Sequence, residues 1–259
     1  MADRFDFGRP ALMRAALLPL AALLIAAAPK PASRPLLAKE APVSASAITD
    51  GPKGKPTAQD TMLEELASSL IERYGATGLI YADGSIRKDM PITSGEAVVL
   101  LNSVYEQLST LAEAAVESSV SELSGSAQTD TMNERMPLVM DAIMPRRGCA
   151  LPKSFKGKAP AYKDKPVDPV MEGVAQRAGD KYGVYALGES ASRFNHDRPV
   201  MWSVALGCLP GADKERQPMA SYGFATVAKD RAMTRGEFIT ALGMATDVTV
   251  ESIYGILAQ

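Results

Sequence analysis

The chain has 259 residues, of which 46% are hydrophobic and 22% charged, so it is long and apolar enough to bury a core. Its 28 basic and 30 acidic side chains nearly balance, which argues against a nucleic-acid partner, since such partners need a surplus of Lys and Arg. With one His and one Trp, the sequence has little material for an imidazole metal site, a Ser-His-Asp triad or an aromatic stacking platform.

The N-terminal segment predicts export. Arg4, Arg9 and Arg14 precede an uncharged apolar run over residues 15–28. This run suits the core of a signal peptide and is shorter than the roughly 20 residues that span a bilayer as a helix. We therefore expect a signal peptide at residues 1–28, with cleavage anywhere up to residue 47, and a location in the periplasm or at the cell surface. An uncleaved, membrane-associated segment is the alternative; no integral membrane span is expected after signal removal.

Export also bears on the two cysteines, Cys149 and Cys208. An oxidising compartment permits a disulfide between them, and closing so long a loop would stabilise the fold by several kcal/mol. Two buried free thiols are the alternative.

Residues 29–56 are rich in Pro, Ala, Ser and Lys without an apolar period, which is typical of a disordered leader. A helical pattern begins near Thr57 and stops at Gly75, and a second, longer helix begins at Thr93 and runs to about Leu123. The long helix carries a heptad seam, which we expect to pack on its own domain; self-association through a short coiled coil is the alternative. The seam residues are Val98, Leu101, Tyr105, Leu108, Ala112 and Ala115.

The chain matches itself at an offset of 108 residues without a gap, which indicates an internal repeat. A shortened third copy runs from Tyr222 and Gly223 to Thr234. The matched positions include Asp60 with Asp168, Tyr74-Gly75 with Tyr182-Gly183, Leu79 with Leu187, and Pro91-Ile92 with Pro199-Val200. We therefore predict a mainly α fold of tandem helix-loop-helix repeats, with one long helix after the first repeat. The predicted units are repeat 1 at 57–124, a connector at 125–165, a degenerate repeat 2 at 166–215 and a shortened repeat 3 at 216–259.

Two helix starts carry the pattern of a capping box, in which Thr at the N-cap and Glu three residues later each satisfy a backbone N–H. The two pairs are Thr93 with Glu96 and Thr234 with Glu237. Arg235 does not fit this explanation, because a cation at the first helical position is disfavoured by the helix dipole. An anion held jointly by the guanidinium and the free N–H groups of the helix start would explain it; an exposed Arg without a role is the alternative.

These residues carry a resemblance to a known family. The segment Tyr81-Ala-Asp-Gly-Ser-Ile-Arg-Lys-Asp-Met-Pro-Ile-Thr-Ser-Gly-Glu96 is similar to the signature of the S-layer homology domain, Gly-Tyr-x-Asp-Gly-Thr-Phe-x-Pro-Asp-x-x-Ile-Thr-Arg-Ala-Glu-Phe. The segment Ala228-Lys-Asp-Arg-Ala-Met-Thr-Arg-Gly-Glu-Phe238 resembles the second half of the same signature. The resemblance covers roughly residues 58–108 and 166–258 and implies three degenerate tandem repeats in a pseudo-threefold helical bundle.

The resemblance implies a non-catalytic protein of the cell envelope that binds cell-wall polysaccharide or peptidoglycan-linked glycan, with the motif Arg contacting an acidic substituent. The motif is incomplete in two units, because Ser94 stands at the Arg position of the first, and Trp202 stands there in the second. Trp202 either stacks on a sugar ring or fills the core between repeats. The candidate glycan-binding residues are Arg235, Thr234, Glu237, Thr93, Glu96 and Trp202.

The alternative function is a structural scaffold or protein-interaction module that has lost glycan binding, with homo-oligomers possible. We expect no enzyme activity, because the sequence lacks a nucleophile paired with a base, a Gly-rich phosphate loop and a Cys/His cluster at ligand spacing. No cofactor and no metal are expected.

Overall fold

A computed structural model describes residues 58–145, 149, 163–164, 169–188, 193–211 and 230–259 of the chain. The predicted signal peptide at 1–28, the leader at 29–56 and the first part of repeat 3 lie outside these residues. Within them the fold is mainly helical, which confirms the predicted class.

The described residues contain six α-helices and one pair of two-residue strands. The strands β1 (Lys163–Asp164) and β2 (Arg193–Phe194) pair in parallel, and a short 3₁₀ helix covers Thr77–Leu79. The α-helices are α1 (Ala58–Tyr74), α2 (Ser94–Ser119), α3 (Ser126–Ile143), α4 (Pro169–Tyr182), α5 (Trp202–Cys208) and α6 (Arg235–Leu257).

Helices α1 and α4 end in the same way, at positions that match in the predicted repeat. Gly75 and Gly183 follow their last residues with φ of 63° and 70°, a left-handed conformation that glycine adopts without strain. The N–H of Gly75 donates to the Ile71 carbonyl at 3.0 Å, and that of Gly183 to the Gly179 carbonyl at 2.8 Å. The predicted stop at Gly75 is therefore confirmed.

Helix α2 is the central element, because it packs against α1, α3, α4 and α6. Its heptad seam is buried along its whole length, from Val98 to Ala115. The expectation that the seam packs on its own domain is confirmed. The seam has no free surface left for a coiled coil, so it does not support self-association.

Helix α3 lies within the predicted connector at 125–165, which is therefore not a plain linker. Its apolar residues Met132, Met136, Val139 and Ile143 recur at three and four, and Val139 and Ile143 are fully buried. The helix packs on α2 and α6. Pro137 lies inside it and disguises the helical pattern, since proline removes one backbone donor from a helix interior.

The structure joins Cys149 and Cys208 in a disulfide with a Cα–Cα distance of 4.8 Å, so the free-thiol alternative is excluded. Both residues are buried. Closing a loop of 59 residues in the unfolded chain corresponds to about 4 kcal/mol of stabilisation.

No helix in the described ranges has the length and apolar character needed to cross a bilayer.

The contact between α1 and α6 depends on a glycine. A Cβ added at Gly243 would lie 2.6 Å from Leu66 Cδ1 and 3.1 Å from Leu66 Cγ, whereas one added at Gly255 of the same helix meets nothing within 4 Å. We expect Gly243→Ala to lower the free energy of unfolding by about 1–3 kcal/mol through overpacking. Gly255→Ala should be neutral or raise it by up to about 1 kcal/mol. Urea unfolding of both variants measures the difference, and equal effects would show that α1 and α6 are not in close contact.

Candidate functional site

Three loop-to-helix junctions meet in the folded chain: the first junction (residues 88–96), the second junction (196–204) and the third junction (230–237). A closed ring of backbone hydrogen bonds joins them through one buried residue of each. The N–H of Val200 donates to the Ile92 carbonyl at 3.0 Å, that of Met233 to Val200 at 2.8 Å, and that of Ile92 to Met233 at 3.0 Å. Isolated β-bridges flank this ring between every two junctions: Pro91 with Thr234, Thr93 with Pro199, and Met201 with Ala232.

Each helix start is satisfied by the loop of a neighbouring junction. The first helical N–H always donates to a backbone carbonyl: Ser94 to Arg198 at 2.8 Å, Trp202 to Arg231 at 2.9 Å and Arg235 to Met90 at 2.8 Å. The second helical N–H donates to the same neighbouring junction as the first. Gly95 donates to the His196 carbonyl and Gly236 to the Lys88 carbonyl, both at 2.9 Å, and Ser203 donates to Asp230 Oδ1 at 3.1 Å. Helix-start N–H groups lack partners inside their own helix, and here other parts of the chain supply them.

The second helical position is crowded in two of the junctions. A Cβ on Gly95 would lie 2.7 Å from Met171 Cε and 2.9 Å from His196 Cβ. A Cβ on Gly236 would lie 3.1 Å from Lys88 Cβ and 3.3 Å from Leu63 Cδ2. The neighbours of the two glycines, Leu63 with Met171 and Lys88 with His196, are pairs separated by 108 residues, so the two interfaces use positions that correspond in the predicted repeat.

Both predicted capping boxes are present. Thr93 Oγ1 accepts from the N–H of Glu96 at 3.3 Å, and Glu96 Oε2 accepts from the N–H of Thr93 at 3.0 Å. Thr234 and Glu237 make the same two bonds at 3.3 and 2.9 Å. In the second junction Met201 holds the N-cap position of α5 without a side-chain cap bond.

Arg235 is 2% exposed and is held entirely by its own chain. Its Nη1 pairs with Glu96 Oε1 at 2.6 Å. Its other hydrogen bonds go to backbone carbonyls: Nε donates to Ile86 at 2.8 Å, and Nη2 donates to Leu79 at 2.9 Å and to Gly78 at 3.2 Å. The side chain therefore crosses from the third junction into the first repeat, where it meets an anion and three acceptors.

Tyr81 completes this cluster. Its hydroxyl donates to Glu96 Oε1 at 2.8 Å, and its ring centroid lies 4.6 Å from Arg235 Cζ and 3.9 Å from Arg87 Cζ. Burial, and then the hydrogen bond to Glu96, raise the pKa of Tyr81, so the hydroxyl stays protonated as a donor at neutral pH. Glu96 thus serves as cap, as ion-pair partner and as acceptor at once.

The expected anion seat at Arg235 is therefore corrected. An external acidic group there was expected to meet the guanidinium and the free N–H groups of the helix start. The guanidinium is instead paired with Glu96, and the N–H groups of Arg235 and Gly236 are bonded to the first junction. The physical reason is that a buried guanidinium needs a compensating anion, and the first repeat supplies one.

Trp202 lies in the core, 3% exposed, which settles the open choice between sugar stacking and packing. The Arg231 guanidinium lies 5.6 Å from its ring centroid and makes two hydrogen bonds to the carboxylate of Glu237. Burial alone would raise the pKa of Glu237, but the bonds from Arg231 and Thr234 outweigh it and hold the pKa below its ordinary value. The exposed side chains of Ser203 and Asp230 bond each other at 2.6 Å nearby.

Sequence reasoning missed Tyr81 and Arg231 as members of the site. Tyr81 stands within the first signature segment, and Arg231 lies three residues before the capping box of Thr234 and Glu237, so both were visible in the motif. Their roles were not, because no local spacing indicates that Arg235 reaches a carboxylate 139 residues away.

Removing the Arg235 side chain should destabilise the whole assembly of junctions. We expect Arg235→Met to lower the free energy of unfolding by about 3 kcal/mol, because Glu96 and three carbonyls lose their partner. The matched control is Arg231→Met, which breaks an exposed pair with Glu237 and should destabilise the protein much less than Arg235→Met does. Chemical denaturation measures both, and a small effect of Arg235→Met would contradict the assigned role of the buried pair.

Acid should weaken the start of α6. Because the folded pKa of Glu237 lies below its ordinary 4.5, the stabilisation by the ionised carboxylate is complete above that value and is lost as the pH falls through the lower folded one. Unfolding in urea at neutral pH and at about pH 3 should show this loss. Glu237→Gln should be less acid-sensitive than the wild type; equal sensitivity would assign the loss to other carboxylates.

Among the described residues, no group of three or more His, Cys, Asp or Glu side chains is placed to hold a metal ion. No protein-family model matches the chain, and the comparisons with curated proteins and with solved structures give no match either.

Proposed function

We propose that the chain is an exported, non-catalytic module of the cell envelope in which three S-layer-homology-like units act as a structural scaffold for a protein partner. The observation that carries this proposal is the internal use of Arg235. The residue with which the family would contact an acidic glycan holds the third junction to the first repeat instead. Because the Arg235 guanidinium is buried and already paired, it stabilises the fold and is not accessible to a ligand.

The ring of three backbone hydrogen bonds supports the predicted pseudo-threefold arrangement. Each junction donates one of these bonds and accepts another, so the three junctions are bonded to one another in an equivalent way. Equivalent glycines at the second helical position, Gly95 and Gly236, meet equivalent neighbours across two of the interfaces. Three units that close on one another in this way form a rigid platform whose outer faces are available for a partner.

The proposed location rests on the N-terminal sequence and on the disulfide. An apolar run after three arginines is typical of an export signal, and disulfides persist in oxidising compartments. The absence of a nucleophile-base pair and of a phosphate loop from the sequence supports a role without catalysis.

Glycan binding at the third junction is the second candidate, and one observation favours it. The Arg231 side chain, in the loop before α6, is half-exposed although it pairs with Glu237, and the residue before it, Asp230, bonds the exposed hydroxyl of Ser203. Charged and hydroxyl groups together on a surface can hydrogen-bond a sugar. In this case Arg231, rather than Arg235, contacts the acidic substituent.

Cosedimentation with purified cell-wall sacculi tests both candidates. If the chain is a scaffold, the same fraction of the wild type, of Arg231→Met and of Arg235→Met should sediment with the sacculi. Circular dichroism must first show that each variant is folded. Loss of sedimentation in Arg231→Met alone would favour the second candidate. Loss in folded Arg235→Met alone would overturn the scaffold proposal and restore the anion contact at Arg235.

A further inference from the structure

One side of α3 is turned away from the rest of the fold. Val139 and Ile143 are fully buried, and Met132, Met136 and Met140 pack beside them against the core. The residues of the opposite side also recur at three and four along the helix, and all of them are exposed. This outward face of α3 consists of Asp130, Asn133, Glu134, Pro137, Leu138 and Asp141.

The outward face carries two residues that do not suit a helix surface in water. Leu138 is 58% exposed. Pro137 lies in the helix interior, where proline is disfavoured because its ring clashes with the preceding turn. Proline also has no N–H, so the carbonyl of Asn133, four residues earlier, lacks its usual helical donor. Polar residues of high helix propensity would make a more stable solvated face, and an apolar residue beside a proline favours a contact surface instead.

The charge around this face is almost entirely negative. From the start of α2 to the end of α3 the chain has eight Asp and Glu residues and one basic residue, Arg135, although the whole chain is nearly neutral. Nη1 of Arg135 donates to Ser119 Oγ of α2 at 3.0 Å. Of the eight acids, Glu96 and Glu106 form ion pairs with other helices. The other six have no ion-pair partner within the described part of the chain: Glu113, Glu117, Glu122, Asp130, Glu134 and Asp141.

This charge selects among the possible partners. Unpaired carboxylates repel nucleic acid, anionic lipid and a glycan with acidic substituents. They attract a Lys- or Arg-rich protein segment, and an apolar side chain of the same segment can cover Leu138. Glu134 and Leu138 are four residues apart on the outward face, as are Pro137 and Asp141, so charged and apolar groups lie side by side along the helix. A basic amphipathic helix, which presents its side chains at the same spacing, is complementary to such a face.

We propose that the outward face of α3 is a docking surface for a protein partner that presents a basic amphipathic segment. Lysine or arginine side chains of the partner pair with Asp130, Glu134 and Asp141, and an apolar side chain covers Leu138. The inference rests on the proposed scaffold role, and it names the chemistry of the partner that the scaffold holds. It places the contact on an element outside the three junctions and their ion pairs.

Binding of a model peptide to the full chain tests the docking surface. The probe is a synthetic amphipathic peptide with Leu on one helical side and Lys on the other, and the control peptide carries Glu in place of each Lys. Calorimetry at physiological ionic strength measures both, because salt screens the general attraction between distant charges. We expect the Lys peptide to bind at one site and the Glu peptide not to bind.

The apolar part of the surface is tested by a matched pair of variants. We expect Leu138→Ser to raise the Kd of the Lys peptide about tenfold, because the variant removes the apolar side chain that the peptide covers. The control is Met62→Ser on α1, where the native side chain is 69% exposed. It makes the same kind of change on another helix and should alter Kd by less than about twofold.

The charged part is tested by a second matched pair. Glu134→Gln combined with Asp141→Asn removes two charges from the outward face and should raise Kd about tenfold. Glu64→Gln combined with Glu65→Gln removes two charges from exposed positions of α1. This control weakens only the general field of the protein, so Kd should change by less than about threefold. All four variants alter exposed side chains and should keep the circular dichroism of the wild type.

Three results would contradict the docking surface. One is that the Lys peptide does not bind. Another is that the α1 variants weaken binding as much as the α3 variants, since the peptide would then respond to net charge alone. The third is that the wild type self-associates in sedimentation equilibrium and Leu138→Ser abolishes this, because a second copy would then be the occupant. None of them bears on how the Arg231 and Arg235 variants sediment with sacculi, so failure of the docking surface and failure of the scaffold are distinguishable.

Discussion

A buried guanidinium requires a compensating charge, and the rest of this fold is arranged around meeting that requirement at Arg235. The side chain leaves the start of α6 and ends among Glu96 and three carbonyls of the first repeat. Because Glu96 also caps α2, the same carboxylate fixes one helix start and receives the cation from another. The starts of α2 and α6, which are far apart in sequence, are thereby held next to each other.

Backbone hydrogen bonds extend this arrangement to all three units. Helix starts leave N–H groups without partners, and sheets do so at their edges; here neighbouring loops provide the carbonyls that satisfy them. The close approach needed for these bonds explains the glycines at the second helical position. Gly95 lies against Met171 and His196, and any side chain there would push the two units apart.

The second junction is built from different residues than the third. Met201, Trp202 and Val204 stand at the positions that Thr234, Arg235 and Glu237 hold in the third junction. Trp202 fills the core with apolar surface, and the disulfide at Cys208 fastens the other end of the short helix. Hydrophobic burial, a covalent bond and the hydrogen bonds from Ser203 to Asp230 thus hold this short helix without a capping box.

The sequence alone is enough to predict the mainly helical class, the stop at Gly75, the two capping boxes and the burial of the α2 seam, because each depends on neighbouring residues or on a helical period. It did not reveal α3, whose apolar pattern Pro137 interrupts. The cysteine pair was compatible with both a bridge and free thiols until the fold brought Cys149 and Cys208 together. The role of Arg235 emerges from the folded chain, since the electrostatic need for an anion is local, whereas the identity of that anion depends on which distant carboxylate the fold brings within reach.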